Sequence, residues 1–240
     1  MIPARYGATR FPAKLMQDLC GKAVIVHTYE RVADTRLFDE VYVVTDDDRI
    51  EKVIQEVGGK VIRSKKQHNS GSDRLAEASR DLDVDIIVNV QGDEPFTDKE
   101  NLQKVIDIFA KDLTKSIAVA SLMEHITDPD DIANPNNVKV VVNKFGEALY
   151  FSRNVIPFPR DPNTKVSYYK HIGIYAYRKE ALQQFTELPP SLLEETEKLE
   201  QLRYLENGFK IRLALTDIPT IGIDTPEDLE RARKRLVTQK

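Results

Sequence analysis

At 240 residues, with 35 basic and 39 acidic side chains and a formal net charge of −4, the chain has the size and balance of one large globular domain. Its 41% apolar and 31% charged fractions exclude a disordered segment, and its single cysteine, Cys20, excludes a disulfide framework or a multi-cysteine zinc or iron–sulfur centre. No run of 18 apolar residues is present to cross a membrane, no apolar leader precedes Arg5, and the mild acidity argues against nucleic-acid binding, so a cytoplasmic protein is expected.

Short apolar runs alternate with longer helix-period segments, the pattern of an α/β fold. Residues 1–4 are expected to end a strand and 23–33 to form a helix. Residues 41–44 make a strand and 47–57 a helix stopped by Gly58 and Gly59. Residues 60–63 form another short strand. Ser70 followed by Asp73 predicts a capped helix to about residue 82. Residues 85–90 are almost wholly apolar, as a strand buried on both faces should be. Thr97 and Glu100 predict a capped helix to about 112, followed by a strand at 116–123.

The pattern then changes. Residues 138–143 and 147–151 flank Lys144-Phe145-Gly146 and predict an antiparallel hairpin. A strand at 171–178, a helix at 192–206 closed by Asn207-Gly208, and a strand at 210–215 follow. Thr225, Pro226 and Asp228 open a last helix running to about 237. We expect one domain over residues 1–240, doubly wound and parallel in its front half, with an inserted region for substrate and subunit contact at about 150–205.

Four loops carry unusual residues. In residues 3–14, Gly7 permits close backbone approach, while Arg5, Arg10 and Lys14 can converge on phosphate oxygens in a stretch without any acid. A solvated basic loop is the plainer alternative, and no Walker-type motif is present. Gln91-Gly92-Asp93-Glu94-Pro95 follows a buried strand. Asp93 there suits a hard cation, or it simply caps the next element. In Gly222-Ile223-Asp224-Thr225-Pro226-Glu227-Asp228, the helix start accounts for Thr225, Pro226 and Asp228 but leaves Asp224 over. Asp93 and Asp224 are therefore candidates to share one metal ion. His68 to Arg74 offers hydroxyls, backbone donors and a guanidinium for a polar base, or an ordinary capped helix. The run Asp46-Asp47-Asp48 is read as a helix start rather than as the metal motif of a nucleotide-sugar glycosyltransferase. Cys20 has no role, and burial is expected for it.

These loops, together with Asn134 to Val141, Leu149 to Arg153, His171 to Tyr175 and Leu199 to Arg203, occur in one order along the whole chain. That series closely resembles the 3-deoxy-manno-octulosonate cytidylyltransferases, the CMP-Kdo synthetases. The resemblance implies a nucleotidyltransferase-type, Rossmann-like mixed α/β fold with a mainly parallel sheet flanked by helices and an antiparallel insertion, usually as a homodimer. It implies Mg²⁺-dependent transfer of CMP from CTP to the sugar acid Kdo for lipopolysaccharide biosynthesis, with no nucleic-acid or membrane partner. Carried over residue by residue, Arg5, Arg10 and Lys14 look like the triphosphate cations, and Ala4, Ser70, Gly71, Arg74 and Gln91 like nucleotide contacts. Asp93 and Asp224 look like the magnesium ligands and, with Arg10 and Lys14, like the catalytic set. Arg153, His171, Tyr175, Glu200 and Gln201 look like the sugar-acid side, Arg153 or His171 being suited to its carboxylate.

The sequence departs from the family in having Gly7-Ala8 where a serine is usual, Asp73 in place of a glutamate, and a first strand shortened by its start almost at the motif. Three other readings stay open. They are a cytidylyltransferase for 8-amino-Kdo or a sialic acid, a nucleotide-sugar glycosyltransferase, and a nucleotide-binding protein without turnover.

Overall fold

The computed structural model describes residues 1–7, 11–66, 68, 70–161 and 163–238. It is of the mixed α/β class and divides into two compact units, one formed by 1–84, 89–102 and 220–240 and the other by 85–88 and 103–219.

In the first unit, β1 (Ile2–Pro3), β4 (Tyr42–Thr45) and β5 (Lys60–Arg63) form a parallel sheet in the order β1-β4-β5. Between β1 and β4 lie a 3-10 turn at Lys14–Met16, a hairpin of β2 (Asp18–Leu19) and β3 (Lys22–Ala23), and α1 (Val24–Asp34). The hairpin turns on Cys20 and Gly21 with φ of 55° and 96°, the left-handed pair that a two-residue hairpin turn demands. This conformation is why Cys20 is exposed and not buried as the sequence suggested. Helix α2 (Asp48–Glu56) follows β4, and α3 (Gly71–Ser79) follows β5. Ile2, Val43, Val44, Ile25, Ile50 and Ile54 have no exposed surface, each worth roughly 1.5–3 kcal/mol of transfer free energy. A second cluster joins Leu19 and Val24 to Ile223, Leu229 and Ala232, so the last helix is built into this unit.

The second unit holds a six-stranded sheet. Its strands are β6 (Ile86–Asn89), β7 (Ile117–Ile126), β8 (Lys139–Val142), β9 (Ala148–Ser152), β10 (Tyr168–Arg178) and β11 (Lys210–Leu215). The order is β11-β7-β10-β8-β9, with β6 paired to β10. β11 runs parallel to β7, and the β7, β10, β8, β9 pairs are antiparallel. The β8–β9 hairpin turns at Gly146, whose φ is 76°. Helix α4 (Lys99–Lys111) enters this unit, and α5 (Pro129–Ala133), α6 (Lys179–Glu187), α7 (Leu192–Glu197) and α8 (Gln201–Glu206) belong to it, while α9 (Pro226–Thr238) belongs to the first.

The structure corrects several expectations. Asp98, and not Thr97, caps α4: its Oδ1 accepts from Glu100 N at 2.7 Å, while the Thr97 hydroxyl turns back to Glu94 O at 2.8 Å. The single helix expected at 192–206 is broken at Lys198, which takes φ 54° and lets α8 fold back. Arg203 Nε then reaches Glu194 Oε2 at 2.6 Å, a contact between α8 and α7 that a continuous helix of this length would not need. Helix α6 went unread although its apolar residues Ala181, Leu182 and Phe185 are buried on one face. Strand β10 begins at Tyr168, because Tyr168 to Lys170 pair with Ile126, His125 and Glu124 although they lack a clean apolar run.

Candidate active site

The nucleotide-side candidates lie in the first unit, where the loops leave the carboxyl ends of a parallel sheet, the usual location of ligands in such folds. Ala4 continues the ladder, donating its N–H to Val44 O at 2.9 Å, and is buried. Arg5 beyond it is exposed. Arg10, with Ala8, lies outside the described residues. Lys14 opens the 3-10 turn, which is anchored by buried Leu15.

Gly92 is required by crowding. A Cβ there would stand 3.1 Å from Pro3 O, 3.1 Å from Ile25 Cδ1 and 3.2 Å from Leu15 Cδ1. Its own carbonyl accepts from the buried Thr28 hydroxyl at 2.9 Å. The next residue, Asp93, offers its carbonyl to Ile223 N at 2.9 Å, a backbone bond that joins the two aspartate-bearing loops. Asp228 in turn caps α9, its Oδ2 taking Asp224 N at 3.1 Å and Thr225 N at 3.0 Å.

Asp93 and Asp224 thereby converge on one ammonium. Lys14 Nζ hydrogen-bonds Asp93 Oδ2 and reaches Asp224 Oδ1 at 2.9 Å. Burial alone would lower the Lys14 pKa, but the charge and hydrogen bonds of Asp93 and Asp224 outweigh it and hold it above the ordinary value. Beside them, burial, reinforced by Asp93 and Asp224, pushes the Glu94 carboxyl up to about 7, and Glu94 Oε2 is buried without a hydrogen bond.

The donor set fits a magnesium ion. Two carboxylates already share one cation, and Mg²⁺ characteristically takes one or two carboxylates and completes its shell with phosphates and water. Among the described residues no group of three or more His, Cys, Asp or Glu side chains is placed to hold a metal ion.

Three of the nucleoside candidates, Ser70, Gly71 and Arg74, stand at the cap and first turn of α3. Ser70 is its N-cap, the hydroxyl accepting from Asp73 N at 3.2 Å. A Cβ on Gly71 would lie 3.6 Å from Pro3 Cγ, so this helix start sits against the first strand. The Arg74 guanidinium, almost wholly buried, is paired with Asp46 at 2.9 Å. Gln91 is half-buried, its carbonyl accepting from Glu94 N. The three aspartates at 46–48 are each engaged by protein: Asp46 by Arg74, Asp47 as the cap of α2, and Asp48 by Arg63 at 2.7 Å.

The sugar-side candidates lie in the second unit. Arg153 donates through Nε to Glu197 O at 2.7 Å, and through Nη1 and Nη2 to the carbonyls of Pro135 and Lys198. Each terminal nitrogen retains a second N–H for a carboxylate. Fully buried Lys139 holds the same corner, donating to Asn134 O at 2.8 Å and Arg153 O at 2.7 Å. The His171 ring packs against Phe151 and Tyr175, with centroids at 5.1 and 5.2 Å. Its Nε2 lies 2.9 Å from Ser121 Oγ, whose one hydroxyl proton is drawn to the carbonyls of Ile172 and Ile174. The hydroxyl is thus the acceptor, and His171 carries its proton on Nε2. Burial pushes the His171 pKa down to about 3 and raises the Tyr175 hydroxyl well above its ordinary value. His171 is therefore a neutral hydrogen-bonding group, unsuited to pair with a carboxylate by charge. Glu200 and Gln201 open α8, Gln201 buried.

Sequence reasoning passed over Glu77, Glu94 and Arg49. Arg49 has its guanidinium 3.2 Å over the Tyr6 ring in the first loop and was read only as part of a helix start.

Two carboxylates held on one cation by loops that a backbone bond joins, in the unit that also carries a capped helix start after a parallel strand, have the make-up of a nucleotidyltransferase site on a mixed α/β fold. A family model described as cytidylyltransferase matches residues 1–211. The 3-deoxy-manno-octulosonate cytidylyltransferase of Flavobacterium johnsoniae is 60% identical over 236 residues, covering 98% of this chain and 97% of the relative. That of Christiangramia forsetii is 58% identical, covering 98% and 95%. A solved structure of CMP:2-keto-3-deoxy-manno-octonic acid synthetase complexed with CTP superposes with a TM-score of 0.93 at 42% identity, over 100% of this chain and 98% of that one. The chain belongs to the cytidylyltransferase family.

Proposed function

We propose that this protein transfers CMP from CTP to 3-deoxy-D-manno-octulosonate, releasing pyrophosphate and making CMP-Kdo for lipopolysaccharide biosynthesis. The observation that carries the reading is the convergence of Asp93 and Asp224 on the Lys14 ammonium. The near full-length identity to 3-deoxy-manno-octulosonate cytidylyltransferases supports the choice of sugar acid.

In this reading Asp93 and Asp224 hold Mg²⁺, which when bound neutralises phosphate charge and polarises the attacking hydroxyl. CTP brings about four negative charges, so Arg5, Arg10 and Lys14 bind the triphosphate, with Lys14 and Arg10 on the departing pyrophosphate. Ala4, Ser70, Gly71, Arg74 and Gln91 bind the nucleoside. Arg153 takes the sugar-acid carboxylate through its remaining N–H donors, while His171, Tyr175, Glu200 and Gln201 hydrogen-bond the sugar. The anomeric hydroxyl attacks the α-phosphorus in line, the bond to the β-phosphate oxygen breaks, and the hydroxyl proton is lost to solvent. Such chemistry needs positioning and charge stabilisation rather than a covalent nucleophile, so Cys20 takes no part. A cytoplasmic homodimer goes with this reading.

The test is pyrophosphate release with CTP, Mg²⁺ and Kdo, run against 8-amino-Kdo, a sialic acid and a control without sugar. Release that requires Kdo, CTP and metal together is expected. Release only with another sugar acid would move the substrate, and none with any acceptor, from folded protein, would overturn the reading.

A further inference from the structure

Glu77 lies on α3, on the same helix as Ser70, Gly71 and Arg74, and has no part in the roles set out above. One of its carboxylate oxygens, Oε2, accepts from Ser64 Oγ at 2.9 Å, from Lys65 N at 3.0 Å and from His68 Nε2 at 2.9 Å. All three donors come from the segment that joins β5 to α3. The near end of that segment is fixed on the sheet, Ser64 N donating to Thr45 O at 2.9 Å. From the same helix, Arg74 pairs with Asp46 just after β4. Two side chains of opposite sign thus tie α3 to the loops after β4 and β5, the ligand-binding edge of a parallel sheet.

We propose that Glu77 is a positioning residue for the nucleotide: by gathering Ser64, Lys65 and His68 onto one oxygen, it sets the segment that delivers Ser70 and Gly71 to the nucleoside. Burial would raise the Glu77 carboxyl, but these hydrogen bonds outweigh it and keep it below its ordinary value, ionised and a pure acceptor. The bond also fixes the His68 ring with its proton on Nε2, as a carboxylate partner does for histidines in other sites. The inference rests on the nucleotide reading of this unit.

The experiment is equilibrium binding of CTP to the full chain, with Michaelis constants for both substrates, in wild type, Glu77→Ala and Glu77→Gln. The alanine variant removes the acceptor that Lys65 N and His68 Nε2 share with the Ser64 hydroxyl, which keeps Lys66 O at 3.2 Å, and is expected to weaken CTP binding about tenfold, while the amide oxygen of the glutamine variant restores most of the affinity, leaving about a threefold loss. The Michaelis constant for the sugar acid is expected to move less than twofold. CTP binding at wild-type strength in folded variants would overturn the proposal, as would a parallel rise in both Michaelis constants, which is what general loosening gives. If the alanine variant does not fold, the glutamine variant decides alone. A wild-type protein that binds no CTP would overturn the nucleotide reading and this inference with it, whereas normal wild-type binding with indifferent variants overturns only the inference.

Discussion

Lys14 Nζ meets Asp224 Oδ1 at 2.9 Å across 210 positions of sequence, and the same ammonium holds Asp93. The lysine thus neutralises the carboxylate pair. In the reading proposed above the same charge also binds the triphosphate, so that one side chain serves two anionic partners in turn, and that exchange has measurable consequences.

Lys14→Met removes the internal cation. Turnover is expected to fall at least a hundredfold, because the proposed reading puts this charge on the phosphates. In the absence of nucleotide, however, Mn²⁺ is expected to bind the variant several-fold more tightly than wild type, since it no longer competes with an ammonium. Electron paramagnetic resonance titration of free Mn²⁺ reads the second effect without reference to activity. Equal or weaker Mn²⁺ binding by the variant would show that Lys14 does not compete there.

Asp93→Asn keeps the shape and removes one charge. Turnover is expected to fall at least a hundredfold with CTP affinity reduced less than tenfold, measured by pyrophosphate release and by direct binding. Small and equal losses in both would argue against the metal role, and a protein with no turnover to lose would be a nucleotide binder.

Gly92→Ala places a methyl group 3.1 Å from Pro3 O, a backbone atom that cannot rotate away. Overpacking of this kind costs roughly 1–3 kcal/mol. The urea midpoint is expected to fall accordingly, and activity with it, because Asp93 is the next residue. An alanine variant with wild-type midpoint and rate would show that the strand ends move apart freely.

His171 sets an acid limit on stability. Its folded pKa, about 3, lies below the value near 6.5 of the unfolded chain, so between these two the unfolded state binds the extra proton and stability rises with pH. Going from pH 7 down to pH 5 is expected to cost about 2 kcal/mol from this group alone. In His171→Gln the difference between urea unfolding free energies at pH 7 and pH 5 should shrink by that amount. An unchanged difference would mean that the ring is hydrated and titrates normally.

The elements were legible where local chemistry and tertiary structure agree. Thr225, Pro226 and Asp228 announce α9, and the Thr225 hydroxyl does accept from Asp228 N at 3.2 Å. Ser70 likewise caps α3 as its spacing says. Misreadings arose where a distant partner decides. Lys198 adopts a left-handed conformation that no lysine signals in sequence, where the Arg203–Glu194 pair closes α8 onto α7. Cys20 looks like a core residue until the two-residue hairpin turn puts it outside. Asp224 was visible as an acid that the start of α9 leaves over, whereas Asp93, just after a buried strand, read equally as a turn or cap residue, and only the fold brings the two onto Lys14. Glu77 was invisible for the opposite reason: inside a helix pattern, a glutamate reads as solvated surface, and only the folded segment before α3 gives it three donors.

The bond from Ile223 N to Asp93 O runs between main-chain atoms, so exchange of either aspartate side chain leaves it standing. The spacing of the two acidic positions is set by the polypeptide itself and their charge by the side chains, which makes distance and charge separately variable at this site. Substitutions at 93 and 224 can therefore be read as changes of electrostatics on a constant frame. Displacing the frame requires altering its supports, such as Gly92 or the Asp228 cap.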